Sequence, residues 1–233
     1  MQLKTNIHNG IKFGKCLSQA IALILMDKGR VVLMQGTALI FGYFLLQIGH
    51  TPINITIISI LNLLTSIAII YRLYAIKHGD NPNLSDCVRV SFDRGPRVAL
   101  AMFLLIGLGL LAVVPFFTLI SSMNIIGGDT QLAKNILTCL YIISISFLLL
   151  GGCFVKIIII TEKLNPIESL KKSFKLSLRT MPKLILVWFS LMYCFPYLSL
   201  LIFSNIVVHI ISTIWLLICS AFLIVVYDLL VRK

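Results

Sequence analysis

The stretch Lys156–Lys183, KIIIITEKLNPIESLKKSFKLSLRTMPK, decides how the rest of the chain is read. It runs from the end of an apolar segment into a short basic helix and stops where the next apolar segment starts. Asn165-Pro166-Ile167-Glu168 is a helix start. The Asn165 side chain can cap a free amide, Pro166 takes the first helical position where its missing N–H costs nothing, and Glu168 stands where a capping box places its acid. Pro182 marks the end.

Within that helix Ile167, Leu170, Phe174, Leu178 and Met181 recur every three or four residues and make one apolar stripe. Lys171, Lys172, Lys175 and Arg179 occupy the rest of the circumference. About four turns at ~1.5 Å per residue are too short, and too charged, to cross a bilayer. A helix of this kind lies in the headgroup plane. Two readings of its basic face stand. In one, the four cations fix topology next to the anionic cytoplasmic leaflet, where each gains ~1 kcal/mol without a specific site. In the other, they are contacts to a particular lipid headgroup or an acidic partner. Glu162, Asn165 and Glu168 are the residues expected to position the helix. Glu162 either pairs with Lys156, Lys163 or a cation of the surface helix, or is a solvated loop charge.

Composition places the whole chain in a membrane. Of 233 residues 59% are hydrophobic and 12% charged, and the mean hydropathy is +1.02. A soluble domain has roughly one-half apolar and one-quarter charged residues. The net charge of +12 raises nucleic acid as a partner. The cations sit between apolar runs, however, so the membrane accounts for them and nucleic acid is not expected. Cys16, Cys87, Cys139, Cys153, Cys194 and Cys219 contain no Cys-x-x-Cys pair, so neither disulfides nor a metal site is indicated. The run Cys16–Met26 is short and lacks a small-residue cleavage pattern, so no signal peptide is read there.

Taken in order, residues 1–30 are a basic lead-in with an apolar face of Leu17, Ile21, Ile24 and Leu25, fitting a further interfacial helix. Six spans follow: Val31–Gly49, Ile53–Ile76, Val98–Ser121 with a kink expected at Pro115, Ile136–Ile160, Leu184–Phe203 and Ile206–Tyr227. Tyr71-Arg72-Leu73-Tyr74 reads as an aromatic and basic interfacial anchor. Nineteen of the twenty Lys and Arg residues fall in the N-terminal segment, the second and fourth connections and the tail, and Lys134 alone falls in the opposite loops. Both termini are therefore expected in the cytoplasm. The short hairpins at 50–52 and 204–205 are the weak points of the count, since a fused pair can be re-entrant.

The chain also repeats. Asn83, Asp86, Val88, Ser91 and Phe92 parallel Asn165, Glu168, Leu170, Ser173 and Phe174, and Pro96-Arg97 parallels Pro182-Lys183. Leu84, Val88 and Phe92 form the apolar stripe of the earlier copy. Units of about 8–76, 83–160 and 165–228 follow one plan, although the first matches poorly residue by residue. The expected fold is all-α: a single polytopic membrane domain, 1–233, of six transmembrane helices in three hairpins, each preceded by an amphipathic interfacial helix. The repeats run parallel, unlike the inverted repeats of many transporters.

The run Ile158–Val187, an acidic residue closing a span and then a basic amphipathic helix with paired serines, resembles the YciC family of bacterial inner-membrane proteins. The likeness extends through Pro96–Pro115 and Leu217–Lys233. It is similar in plan to the membrane domain attached to some glycerophosphodiester phosphodiesterases, but nothing here is long or polar enough to be their soluble enzyme domain. The resemblance implies a six-span inner-membrane protein and supplies no catalytic residues.

Residues that carry catalysis are not apparent. Asp27, Asp80, Asp86, Asp93, Asp129, Glu162, Glu168 and Asp228 fall in loops or at span ends, so a mid-membrane proton relay through a carboxylate is not expected. His8, His50 and His78 have no metal spacing, and His209 near the outer end of the sixth span is either an interfacial histidine or a pH-sensitive or ligand-contacting group. There is no phosphate-binding Gly-rich loop and no Gly-x-Ser-x-Gly. No cofactor is expected. The expected function is non-enzymatic: a multi-pass inner-membrane protein of the bacterial envelope in lipid handling or in assembly of a membrane partner or homo-oligomer. The alternative is a transporter or channel for a neutral or hydrophobic solute.

Overall fold

Apolar runs of this length leave the backbone one economical solution in a bilayer, hydrogen bonding within a helix, and every regular element among the described residues is an α-helix. The computed structural model describes residues 13–49, 51–126, 131, 135, 151–180 and 205–231. The helices among the described residues are α1 (Phe13–Met26), α2 (Arg30–Ile48), α3 (Pro52–Lys77), α4 (Leu84–Ile126), α5 (Val155–Glu162), α6 (Pro166–Thr180) and α7 (Asn205–Val231).

Among the described residues four helices are long and apolar enough to cross a membrane: Arg30–Ile48, Pro52–Lys77, Leu84–Leu111 within α4, and Ile214–Val231 within α7. Phe41, Phe44, Phe103, Ile106 and Leu111 stand exposed along them. Large apolar side chains exposed in this number suit lipid as solvent. These helices overlap the first, second, third and sixth expected spans. Residues 184–203 of the fifth, and 136–150 of the fourth, lie outside the described residues, as do His8 and His50.

Two expectations about individual elements change. The segment 83–95 is not a surface helix separated from the third span. It is continuous with it, and α4 runs 43 residues through Pro96 and Pro115. Each proline removes one N–H from the ladder, a loss that helices in membranes accommodate. At ~1.5 Å per residue α4 is about twice as long as a ~30 Å hydrocarbon core needs. The end of the fourth span is not one uninterrupted helix either. Gly151 and Gly152 are helical, Cys153 and Phe154 form a turn, and α5 starts afresh at Val155.

The chain divides into two compact units, Met1–Gly95 with Leu186–Lys233, and Pro96–Ile185. In the first, α1 packs along α7, α2 pairs with α3, and α7 also touches α2 and α3. Thr51 Oγ1 accepts the Asn54 amide at 3.2 Å to start α3. The Asn54 side chain donates to the carbonyls of Gly49 at 2.7 Å and Leu45 at 3.2 Å. That ties the α2–α3 hairpin at its turn.

Arg72 is a correction. It is 1% exposed and is not a headgroup anchor. Its Nε donates to Asp27 Oδ1 at 2.5 Å, and its terminal nitrogens reach the Pro82 carbonyl and, at 3.4 Å, Asn81 Oδ1. The other Asp27 oxygen accepts the Val31 amide at 2.5 Å and so starts α2. Lys28 and Gly29 take φ of 53° and 81° in the turn between. Glycine suits that second position because it carries no Cβ to clash. Nearby, Asp228 of α7 lies 3.1 Å from Lys77 Nζ and 3.3 Å from His78 Nε2. Asp27 and Asp228 are both buried. The α1–α2 turn and the C-terminal ends of α3 and α7 thus share one end of this unit.

The three amphipathic helices share a second property that their hydrophobic stripes conceal: each buries a row that contains small residues. On α1, Cys16 and Ala20 are buried with Leu23, whereas Ile21 and Leu25 of the expected apolar face are exposed. On the first turns of α4, Cys87, Ser91 and Gly95 are buried, whereas Leu84, Val88 and Phe92 are exposed. A Cβ on Gly95 would lie 3.1 Å from Leu64 Cδ2. On α6 the buried row is Ser169, Ser173 and Ser177. Counting from Asn83 and Asn165, the last two rows occupy identical repeat positions. Lipid tails are as apolar as leucine, so burying large side chains gains little between helices in a membrane. Close approach through small residues gains more.

Candidate functional site

The site forms around α6, in the Pro96–Ile185 unit. The chain leaves α5 through Lys163 in the left-handed conformation, φ 58°. Asn165 then caps α6, its Oδ1 accepting the Glu168 amide at 2.8 Å, with Pro166 in the first turn as the sequence predicts. The reciprocal half of a capping box occurs in the earlier repeat, where the Asn83 amide donates to Asp86 Oδ2 at 3.1 Å. Arg97 of α4 donates to the Lys163 carbonyl at 3.4 Å, tying the loop before α6 to that helix.

One side of α6 is bonded to the turn before α5. Ser173 Oγ donates to the Gly151 carbonyl and accepts the Phe154 amide at 3.2 Å. Ser177 Oγ lies 3.5 Å from Cys153 Sγ. The turn frees backbone groups that an unbroken helix would satisfy, and the Ser173 hydroxyl serves both a donor and an acceptor among them. Ser169 Oγ is buried with no hydrogen-bond partner among the described residues. Phe174 covers Gly151 so closely that a Cβ there would sit 1.9 Å from its ring. Periodicity did not reveal this face; the spacing of four between the serines was its sequence signal.

The predicted apolar stripe is split. Leu170 is buried, Phe174 is half-buried, and Ile167 and Leu178 are each 58% exposed. The predicted cations also divide. Lys172 pairs with Glu162, which the sequence offered as a partner of a surface-helix cation. Lys171 and Lys175 are exposed. The side chains of Arg179 and of His209 on α7 lie outside the described residues, as does Met181. Glu168, placed by sequence as a positioning residue, lines a hollow of about 400 Å³ with Lys171, Lys172, Lys175 and Leu176.

A larger groove of about 630 Å³ adjoins Lys171 and Lys175. It is formed by Leu104 and Leu108 of α4 and by Ile167, Leu170, Phe174 and Leu178 of α6. Chemically the arrangement is a pair of cations one helical turn apart above an aliphatic and aromatic trough. It can hold an anionic amphiphile. Comparison with protein-family models, curated proteins and solved structures finds no match to the chain.

Proposed function

We propose that this is a non-enzymatic, multi-pass protein of the bacterial inner membrane, with both termini in the cytoplasm and α6 engaging the anionic cytoplasmic leaflet. On this reading it serves envelope lipid handling or the assembly of a membrane partner. The three faces of α6 carry the proposal. Ser173 and Ser177 of its buried row are bonded to protein, Ile167 and Leu178 are exposed, and Lys171 and Lys175 stand beside them. A helix fixed to its own protein by one face, with apolar and cationic faces left over, is suited to an interfacial position. The strongly asymmetric Lys and Arg distribution supports the orientation. Resemblance to the YciC family supports the compartment and the six-span plan.

The test is lipid co-purification. Wild type and a variant with Lys171, Lys172, Lys175 and Arg179 all changed to Gln are extracted gently, and insertion of both is verified. Bound lipid is then compared by native mass spectrometry. Selective retention of anionic lipid by wild type, lost in the variant, is the expected result. Equal and unselective lipid in both removes lipid engagement from the function. Solute flux into liposomes containing the protein, absent from empty ones, would place a transporter or channel first.

A further inference from the structure

We infer that the groove between α4 and α6 is a discrete site for one anionic glycerophospholipid, its phosphate held by Lys171 and Lys175 and one acyl chain lying along Leu104, Leu108, Phe174 and Leu178. The inference rests on the reading of α6 as a lipid-engaging helix and goes beyond it. A charged surface concentrates many lipids without retaining any one of them, whereas a groove retains one.

Three observations converge on this occupant. First, the wall residues are aliphatic or aromatic, and the groove, at about 630 Å³, falls in the range of sites that enclose a small ligand. Second, its cationic members are the two lysines that remain exposed after Lys172 pairs with Glu162. They are four residues apart, hence neighbours on one face. Third, Leu104 and Leu108 lie seven and eleven residues beyond Arg97, which is tied to the loop before α6. At ~1.5 Å per residue that puts the α4 wall about 10–16 Å along the helix from this tie. Lys171 and Lys175 line the same groove as these two leucines, so a phosphate at the lysines leaves an attached chain within reach of the α4 wall. The serine row serves the same end, since α6 bonded to the 151–154 turn keeps its apolar face turned outward.

The experiment uses the full chain in detergent, titrated with dioleoyl phosphatidylglycerol or dioleoyl phosphatidylcholine and read by native mass spectrometry. Wild type should retain phosphatidylglycerol preferentially. The double change Lys171→Gln, Lys175→Gln should weaken it roughly 30-fold, at ~1 kcal/mol per cation. Leu108→Trp should fill the trough and weaken it at least tenfold. Leu178→Trp fills it from the opposite wall and stands in where Leu108→Trp fails to fold. Leu100→Trp, at an exposed α4 position outside the groove, should leave binding unchanged. Loss with the lysine change but wild-type binding in both tryptophan variants overturns the groove while leaving α6 as a lipid-engaging surface. Loss with tryptophan but not with the lysine change overturns the phosphate assignment. Equal loss in Leu100→Trp overturns the discrete site. Unselective binding in every form overturns the groove and removes lipid engagement from the proposed function as well.

Discussion

Arg72 and Asp27 meet at 2.5 Å although 45 residues separate them, and neither side chain retains more than 1% exposure. The pair joins the α1–α2 turn to the end of α3, and its remaining valences are used by the Val31 amide, the Pro82 carbonyl and Asn81. Removing one member of a buried pair strands the other charge, at a cost of roughly 3–5 kcal/mol. Arg72→Ala and Asp27→Ala should each lower stability by about that amount in detergent unfolding followed by helical signal. The double variant should cost clearly less than the two singles together. Strict additivity would show that the two charges do not act as a pair.

Ser173 and Ser169 occupy the same buried row with opposite expected consequences. Ser173→Ala removes one hydrogen bond from the Phe154 amide and one from the Gly151 carbonyl and should cost about 1–3 kcal/mol. Ser169→Ala removes a buried hydroxyl that has no partner among the described residues and should be neutral or stabilising. Unfolding midpoints of the two variants decide this, and a larger loss at Ser169 would contradict it.

Gly151 and Gly152 also differ. A Cβ on Gly151 meets three atoms of the Phe174 ring within 2.3 Å, whereas one on Gly152 meets the terminal Leu105 Cδ2 at 2.3 Å. A leucine tip can turn aside more readily than a packed ring. Gly151→Ala should therefore cost more, about 1–3 kcal/mol, and Gly152→Ala less. Equal midpoints would mean that Phe174 is free to move.

Lys172 carries the same charge as Lys171 and Lys175 but spends it on Glu162. Both partners keep partial exposure, so the pair contributes at most about 1 kcal/mol. Lys172→Gln should lower anionic-lipid retention less than Lys171→Gln or Lys175→Gln. Glu162→Gln should raise retention by freeing a cation. Identical losses for the three lysines would return all of them to the role of uniform topology signals.

Burial on the inner face of α1 pushes the Cys16 thiol above its ordinary value of 9.0, with Lys77 and Lys15 opposing. A thiol whose folded value is raised contributes stability that is full below pH 9.0 and is lost as pH rises from 9.0 through the folded value, because the unfolded chain ionises first. At about pH 8 Cys16 should react with maleimide much more slowly in folded protein than in denaturant, as read by peptide mapping. Equal rates would show that α1 does not stay docked on α7.

Hydropathy and charge placement alone were sufficient for the membrane class, the helical backbone of the described residues, the α2–α3 hairpin and the start of α6. These depend on local periodicity, local capping and the length a bilayer demands. Asn165 caps α6 as its position before Pro166 predicts, and Glu162 meets a cation only ten residues away. The same local logic misread the continuity of α4, because a proline that breaks a helix in water is tolerated in one crossing lipid.

Which face of each amphipathic helix turns inward was decided by tertiary packing. Ile21, Leu25, Val88, Phe92 and Leu178 have the spacing of a core stripe and yet stand exposed, while Ala20, Ser91 and Ser173 are buried. Apolar residues recurring every three or four positions mark two faces of a helix without naming the solvent, and lipid reverses the preference that water enforces. Partners distant in sequence were equally illegible. Asp27 with Arg72, and Asp228 with Lys77 and His78, each read as an ordinary charge at the end of a span, and only the three-dimensional approach of those ends made them pairs.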